Sequence, residues 1–418
     1  MAGYQHGVYT GESATRITPS RTVDPNLPVV IGTAPLDKLA EGSTLYINEP
    51  RLYYSQTEFV AEMGWYDDDD QNPLAKYTLC EAVEVYFNQY GGAPLVVINV
   101  FDPAKHQSEG QPDPLQVTSV DIIGGVDSST LTKTGLELIS EVFPRFRLVP
   151  GCILCPKFSE DPGVAVMMAA KTTGINTLFR CIALADISPD EVENYTQAPG
   201  YKNQNNLSDT SLICCYPRGF LNGKVYHLST HQVGIQAVED DNGGGTPYIS
   251  PSNKNINITR AVGKGGKEIW MGLDECNYLN GEGIVTVSNF DGGWKLWGNR
   301  TSVYPSNTDP KDSFISVRRM MNWLQNTFIL TNFSKVDNPL NRRQIQSILD
   351  SENIRLDGLT SQEKIQGGRV EFLGEYNPTT DLLDGMARFR HSVGFAVPNR
   401  VIESIFEFDP DYLNNLFS

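Results

Sequence analysis

Seven cysteines and five histidines are the side chains of this 418-residue chain best equipped to bind a metal or attack a substrate. Cys152 and Cys155 form a C-x-x-C pair, the spacing of a redox disulfide. That chemistry places the first thiol at a helix N-terminus, whereas GCILCP reads as a strand running into a loop. Cys214 and Cys215, followed by His227 and His231, imitate the spacing of zinc ligands. Neighbouring residues of a strand point to opposite faces, so both thiolates cannot serve one ion. With Cys80, Cys181 and Cys276 they fit buried, reduced thiols, and no metal is expected. Gly263, Gly265 and Gly266 in AVGKGGKEIW suggest a phosphate cradle, but no strand before and helix after hold them, and a loop is the simpler reading. His6, His106 and His391 are scattered. The chain contains no G-x-S-x-G elbow, no H-E-x-x-H and no G-x-x-x-x-G-K-[ST] loop. It is therefore read as a non-enzyme that uses no cofactor, with a hydrolase on an α/β scaffold as the alternative, because a triad assembles only in three dimensions.

The elements that must carry these residues alternate. PVVIGTA from Pro28 is a continuous apolar strand, Leu79, Val83, Phe87 and Tyr90 recur at helical spacing, and PLVVINVF is a second strand. The unit repeats with VTSVDIIGG read as a strand, a helix over 134–143, the strand GCILCP, a helix over 163–173, and the strands LFRCIALAD and SLICCYP. This predicts an α/β layer with a mainly parallel sheet. Residues 236–253 combine acids, three consecutive glycines and two prolines, and are read as a surface connection between domains. Beyond them FDGGWKLWGNRT reads as a hairpin, and a helix opening at Ser313 carries Phe314, Val317, Met321, Leu324 and Phe328 as one core stripe.

The two ends have a different character. Residues 1–28 are rich in Thr, Ser, Pro and Arg, with GVYT the one brief strand, and read as an arm. At the other end Val401, Ile402, Ile405, Phe406 and Phe408 lie between Pro398 and Pro410 with nothing left to fold against. Their natural cover is the edge of another sheet. The net charge of −17 opposes nucleic-acid binding, and it is uneven: residues 1–250 carry −15 and residues 251–418 carry −2. The apolar runs are too short for a membrane span and the N-terminus has no secretion-signal pattern, so the chain is expected to fold in the cytosol where it is made.

SPSNKNI from Ser250, DGGWKLWGNRT from Asp291, FISVRRMMNWL from Phe314, VDNPLNRR from Val336 and LDGLTSQEKIQGG from Leu356 follow one another in an order that resembles the contractile tail sheath proteins of bacteriophages and phage-tail-like bacteriocins. TGLELIS from Thr134 and ILCPKFS are similar to the family's α/β domain, described as subtilisin-like for its shape. The resemblance implies α/β plus α+β architecture: an N-terminal arm at 1–28, an outer α/β domain at 29–249, an inner C-terminal α+β domain facing a tube at 250–396, and a C-terminal arm at 397–418. It also implies a structural subunit that stacks as hexameric rings around an inner tube and contracts to drive the tube through a cell envelope. The partners implied are further copies of the chain, the tail tube protein, and baseplate and tail terminator proteins, with no nucleic acid and no membrane insertion, in a virion tail or tail-like particle assembled in the bacterial cytoplasm.

The same resemblance implies which residues make contacts. Gly7, Val8 and Tyr9 in one arm, and Val401, Ile402, Ile405, Phe406 and Phe408 in the other, would add strands to neighbouring subunits. Arg318, Arg319, Lys335, Arg342 and Arg343 are the candidates to face the tube. The linkers at 25–28 and 394–398 are the expected hinges, and the charge split would set an acidic outside against a near-neutral inside.

Overall fold

The computed structural model describes residues 23–67, 70, 72–290 and 292–417, with side chains to 413. Gly7, Val8 and Tyr9 lie outside the described residues. The strand Pro28–Gly32 pairs in parallel with Leu95–Asn99 on one side, Val29 opposite Val96, and with Cys152–Leu154 on the other. From there the sheet continues in parallel through Ile182–Asp186, Leu212–Cys215 and Ile284–Ser288. Antiparallel strands close both ends, Pro50–Tyr53 beside Leu95–Asn99, and Lys295–Trp297 followed by Lys254–Asn255 at the far edge. Each of the parallel strands is buried along its whole length, because helices cover both faces; that is why they read as continuous apolar runs and not as alternation.

Several expectations are corrected by this arrangement. VTSVDIIGG is not a strand: Ser119–Ile123 is a short helix, opened by a capping box in which the Thr118 hydroxyl and backbone N–H both donate to Asp121. The nine-stranded sheet takes strands from both sides of residue 250, so the expected boundary at 249/250 does not mark a break between two cores. The first half of the supposed connection at 236–253 is the end of a helix, Leu228–Asn242, whose Gln236, Glu239 and Asp240 are buried. Residues 23–28 of the expected arm also belong to the body. Val23 and Leu27 are in the core, and Asn26, 2% exposed, donates from Nδ2 to the Val233 carbonyl, which removes 25–28 as a free hinge.

A central helix, Ile315–Asn332, joins this body to the C-terminal elements. It is buried nearly all round and not along one stripe, with Met321 and Phe328 only half-buried. Its polar side chains tie it to the body: Asn322 Nδ2 donates to the Cys181 carbonyl, Asn326 exchanges hydrogen bonds with the Arg180 backbone, and the Trp323 indole donates to the Val23 carbonyl. Next comes the long helix Arg342–Ser361, capped by Asn341, whose side chain accepts from the Gln344 N–H. Ile348, Glu352, Leu356 and Leu359 form its buried face at helical spacing. Against that face lies a separate antiparallel hairpin of Ile365–Glu371 and Arg390–Phe395. Among the described residues no helix is long and apolar enough to cross a membrane.

Candidate inter-subunit surfaces

The hairpin is a two-stranded sheet, a size that is marginal in water without support. Its support comes from one side. Leu356 of the long helix packs under Gly368, where a Cβ would come within 3.1 Å of a Leu356 methyl, so any larger residue there would make the leucine side chain shift. Phe328 of the central helix meets Phe389 and His391, and Phe389 packs at a tilt against Phe372 at the hairpin's closed end. Asn377 clasps the long connection between the strands, donating to the carbonyls of Leu373 and Arg388 and accepting from the Arg388 N–H.

The two edges of the hairpin differ. On the outer side of Ile365–Glu371, the Asn353 side chain answers both polar groups of Val370, accepting from its N–H at 2.8 Å and donating to its carbonyl at 3.2 Å. No side chain or backbone beyond the hairpin, among the described residues, does this for Arg390–Phe395. That strand is an open edge. Among the described residues the tail beyond it makes no strand, and its apolar side chains are exposed: Ile402 is 85% exposed, Ile405 87% and Phe406 92%. Five large apolar groups left in water over eight residues, with an unfilled sheet edge on the same chain, are the signature of surfaces that another molecule covers.

The chain is similar over 92% of its length to the tail sheath protein of Burkholderia phage BcepMu, at 23% identity and across 92% of that protein. It is 24% identical over 74% of both chains to a putative prophage major tail sheath protein of Pseudomonas aeruginosa strain UCBPP-PA14. No family model matches the chain. Among solved structures, a chain of the extracellular contractile injection system PVC sheath in its contracted state superposes with a TM-score of 0.68 at 15% identity, covering 99% of each chain. A chain of the anti-feeding prophage baseplate superposes at 0.67 and 16% identity, covering 98% of this chain and all of that one. Along nearly its whole length the chain is similar to contractile tail sheath proteins. The superposition covers nearly the whole chain, hairpin and sheet included, so the fold is that of these sheath chains.

The five basic candidates separate by burial. Arg318 and Arg319 are buried in the body of the chain and not free on its surface. Arg319 is 4% exposed and grips Asp240 of the helix Leu228–Asn242 with both guanidinium ends, while Arg318 pairs with Asp312 six residues earlier. Lys335 is half-buried, its ammonium 2.9 Å from Asn332 Oδ1, and burial lowers its pKa. Arg342 and Arg343 are exposed on the first turn of the long helix.

The groups that might have built an enzyme are brought together differently. His227 sits at the carboxyl side of the parallel strands, Nδ1 2.8 Å from Glu81 and Nε2 3.4 Å from Glu160, while Arg218 forks onto Glu160 at 2.6 and 2.7 Å. Burial alone would lower the His227 pKa, but Glu81 and Glu160 outweigh it and hold it up at about 10. Burial would raise Glu160, yet His227 and Arg218 bring it down to about 2. Ser229 donates to Asp186, not to His227, and all three are buried. Sequence reasoning did not name this network; its signal is polar residues at strand ends, and their partners lie up to 149 positions apart, as Thr230 and Glu81 do. The four supposed zinc ligands have other partners: Cys215 contacts Gln232, Cys214 lies near the Leu207 carbonyl, His227 is held as above, and His231 Nδ1 meets the Tyr90 hydroxyl. Cys152 and Cys155 are buried thiols. The Gly263–Gly266 stretch is the turn of an antiparallel hairpin between Arg260–Val262 and Glu268–Ile269.

Proposed function

We propose that the chain is a structural subunit that polymerises as stacked hexameric rings around an inner tube and contracts, with no catalytic step. The observation that carries this reading is the pairing of an open hairpin edge at Arg390–Phe395 with an uncovered apolar tail at 401–408 on the same chain. A tail strand laid on the open edge of the next copy satisfies both, and each backbone hydrogen bond in such a ladder contributes about 0.5–1.5 kcal/mol. The residues at 7–9 play the matching part from the other end. Gly394 lies at the root of the tail, and 394–398 is the hinge that lets the linked domains rotate while the ladder holds.

In this reading the body around the nine-stranded sheet is the outer, subtilisin-like part, and the long helix and hairpin form the inner part facing the tube, with Lys335, Arg342 and Arg343 as the basic contacts. Work comes from a switch between two packings of one chain. A hydrolase is the second reading, and the burial of Ser229, His227 and Asp186 speaks against it. Negative-stain microscopy of the purified chain separates them: rings or tubes support the sheath reading, and a dispersed monomer that turns over ester or peptide substrates overturns it.

A further inference from the structure

Beside the closed end of the hairpin lies a groove of about 590 Å³, walled by Leu340, Ile345, Leu349, Phe372, Leu382 and Leu383. It is open enough that Leu383 stands 83% exposed. Arg342 lines its rim and has no ion-pair partner among the described residues. The volume suits a few large side chains. We infer that this groove receives the last helical turn, Pro410–Phe417, of a second copy of the chain. The inference rests on the arm reading above and extends it to a second contact with its own chemistry.

Two observations select this occupant. The first is direction. The hairpin runs from Ile365 to Glu371, through the connection containing Thr379–Leu383, and back from Arg390 to Phe395. The open edge belongs to the returning strand, so a tail strand added antiparallel to it travels toward the connection. Its continuation beyond Phe408 then arrives at Phe372, Leu382 and Leu383. The second is charge. Residues 401–418 carry Glu403, Glu407, Asp409 and Asp411 and no Lys or Arg, so the segment that arrives is acidic and meets Arg342. Its terminal turn offers Tyr412, 72% exposed, and Leu413, 52% exposed, as apolar anchors that its own chain leaves bare. Arg343 follows Arg342 by about 100° around the helix, so it remains free to face elsewhere. This moves Arg342 from the tube contacts proposed above to the tail of a neighbour, and leaves Lys335 and Arg343 toward the tube.

Mixed assembly tests this on the full chain. The seven native cysteines are buried, so introduced thiols report cleanly. Particles built from Leu383→Cys chains mixed with Leu413→Cys chains, oxidised with copper phenanthroline, should give a cross-linked dimer on a non-reducing gel that neither variant gives alone. In parallel, Ser392→Cys chains are mixed with chains carrying cysteine at each of positions 403 to 406, which reports the arm strand itself. Dimers at Ser392 without dimers at Leu383 overturn the groove contact and leave the arm reading standing; no dimers at either position overturn both. Arg342→Glu should lower the urea midpoint of sheath dissociation, and adding Asp409→Arg or Asp411→Arg should restore it at least in part. An unchanged midpoint, or failure of both reversals to rescue, removes Arg342 from the contact.

Discussion

Arg319 and Asp240 hold the central helix to the body, one guanidinium nitrogen 2.9 Å from Oδ1 and a second against Oδ2, in a site where neither side chain exceeds 5% exposure. Burial pushes the Asp240 carboxyl up to about 6 even with Arg319 drawing it down. Breaking such a pair by removing one partner leaves an uncompensated charge and costs about 3–5 kcal/mol. Arg319→Met should therefore lower the urea midpoint of the isolated subunit strongly at pH 8. The loss should be smaller at pH 5, because a carboxyl whose folded pKa is raised keeps its full contribution only at low pH and loses it as pH climbs through the folded value. An equal loss at both pH values would mean that Asp240 is not the buried partner that matters.

The His227 network predicts the opposite flank of the pH profile. A histidine held at about 10 in the fold and near 6.5 in the unfolded chain contributes stability that is complete below about 6.5 and drains away as pH rises toward 10. Glu160, held at about 2, contributes above its unfolded value and loses this only in strong acid. Unfolding midpoints measured from pH 7 to 10 should fall in the parent chain and fall less in His227→Gln, which is less stable throughout because Glu81 and Glu160 lose the cation between them.

Deleting residues 400–418 should leave a folded, soluble subunit whose melting temperature stays within a few degrees of the parent, since the tail's apolar groups are bare in its own chain. The same variant should form no sheath by negative stain. A sharp fall in melting temperature would instead mean that the tail packs on its own domain.

Reversal at Arg343, the proposed tube-facing position, should separate tube binding from polymerisation. With Arg343→Glu, co-assembly on tubes should weaken several-fold in a sedimentation assay while tubeless polymers still form, because exposed ion pairs are worth about 0.2–1 kcal/mol each but recur at every subunit. Unchanged co-assembly would move the tube contact elsewhere.

Contraction should release heat in buffer free of nucleotide and of metal, on mild acid, urea or warming, as expected when the work comes from repacking. Calorimetry of purified extended particles measures this directly. A transition that appears only after ATP or a divalent ion is added would require a site that the present reading does not contain.

The parallel sheet was legible because strands buried on both faces cannot alternate, and Val29 to Ile31 or Leu95 to Ile98 leave no other reading. Ser119–Ile123 was misread because its apolar residues fit either period over so short a span; the Thr118 and Asp121 spacing held the correct signal. Gln236 and Asp240 were assigned to a surface connection for their polarity alone. Their burial depends on Arg319, 79 positions beyond Asp240, and no local pattern reports such a partner. Arg318 and Arg319 were tube-facing candidates from the resemblance, and their burial beside Asp312 and Asp240 was likewise not legible from the local pattern. The tail was the reverse case: among the described residues its apolar groups have no cover, and that lack was visible in the sequence.

An open edge filled by the tail of another copy is a contact between unlike surfaces. Contacts of this kind do not close on themselves in pairs; they propagate in one direction, as rings or as open helices. A stack joined through Arg390–Phe395 therefore has polarity: at one end stand edges that no tail has filled, and at the other stand tails with no edge to occupy. The two ends expose different chemistry, one hydrogen-bonding and flat, the other acidic and apolar. If the proposed contact propagates as an open helix, its two ends call for different caps, one that supplies a strand and one that supplies an edge.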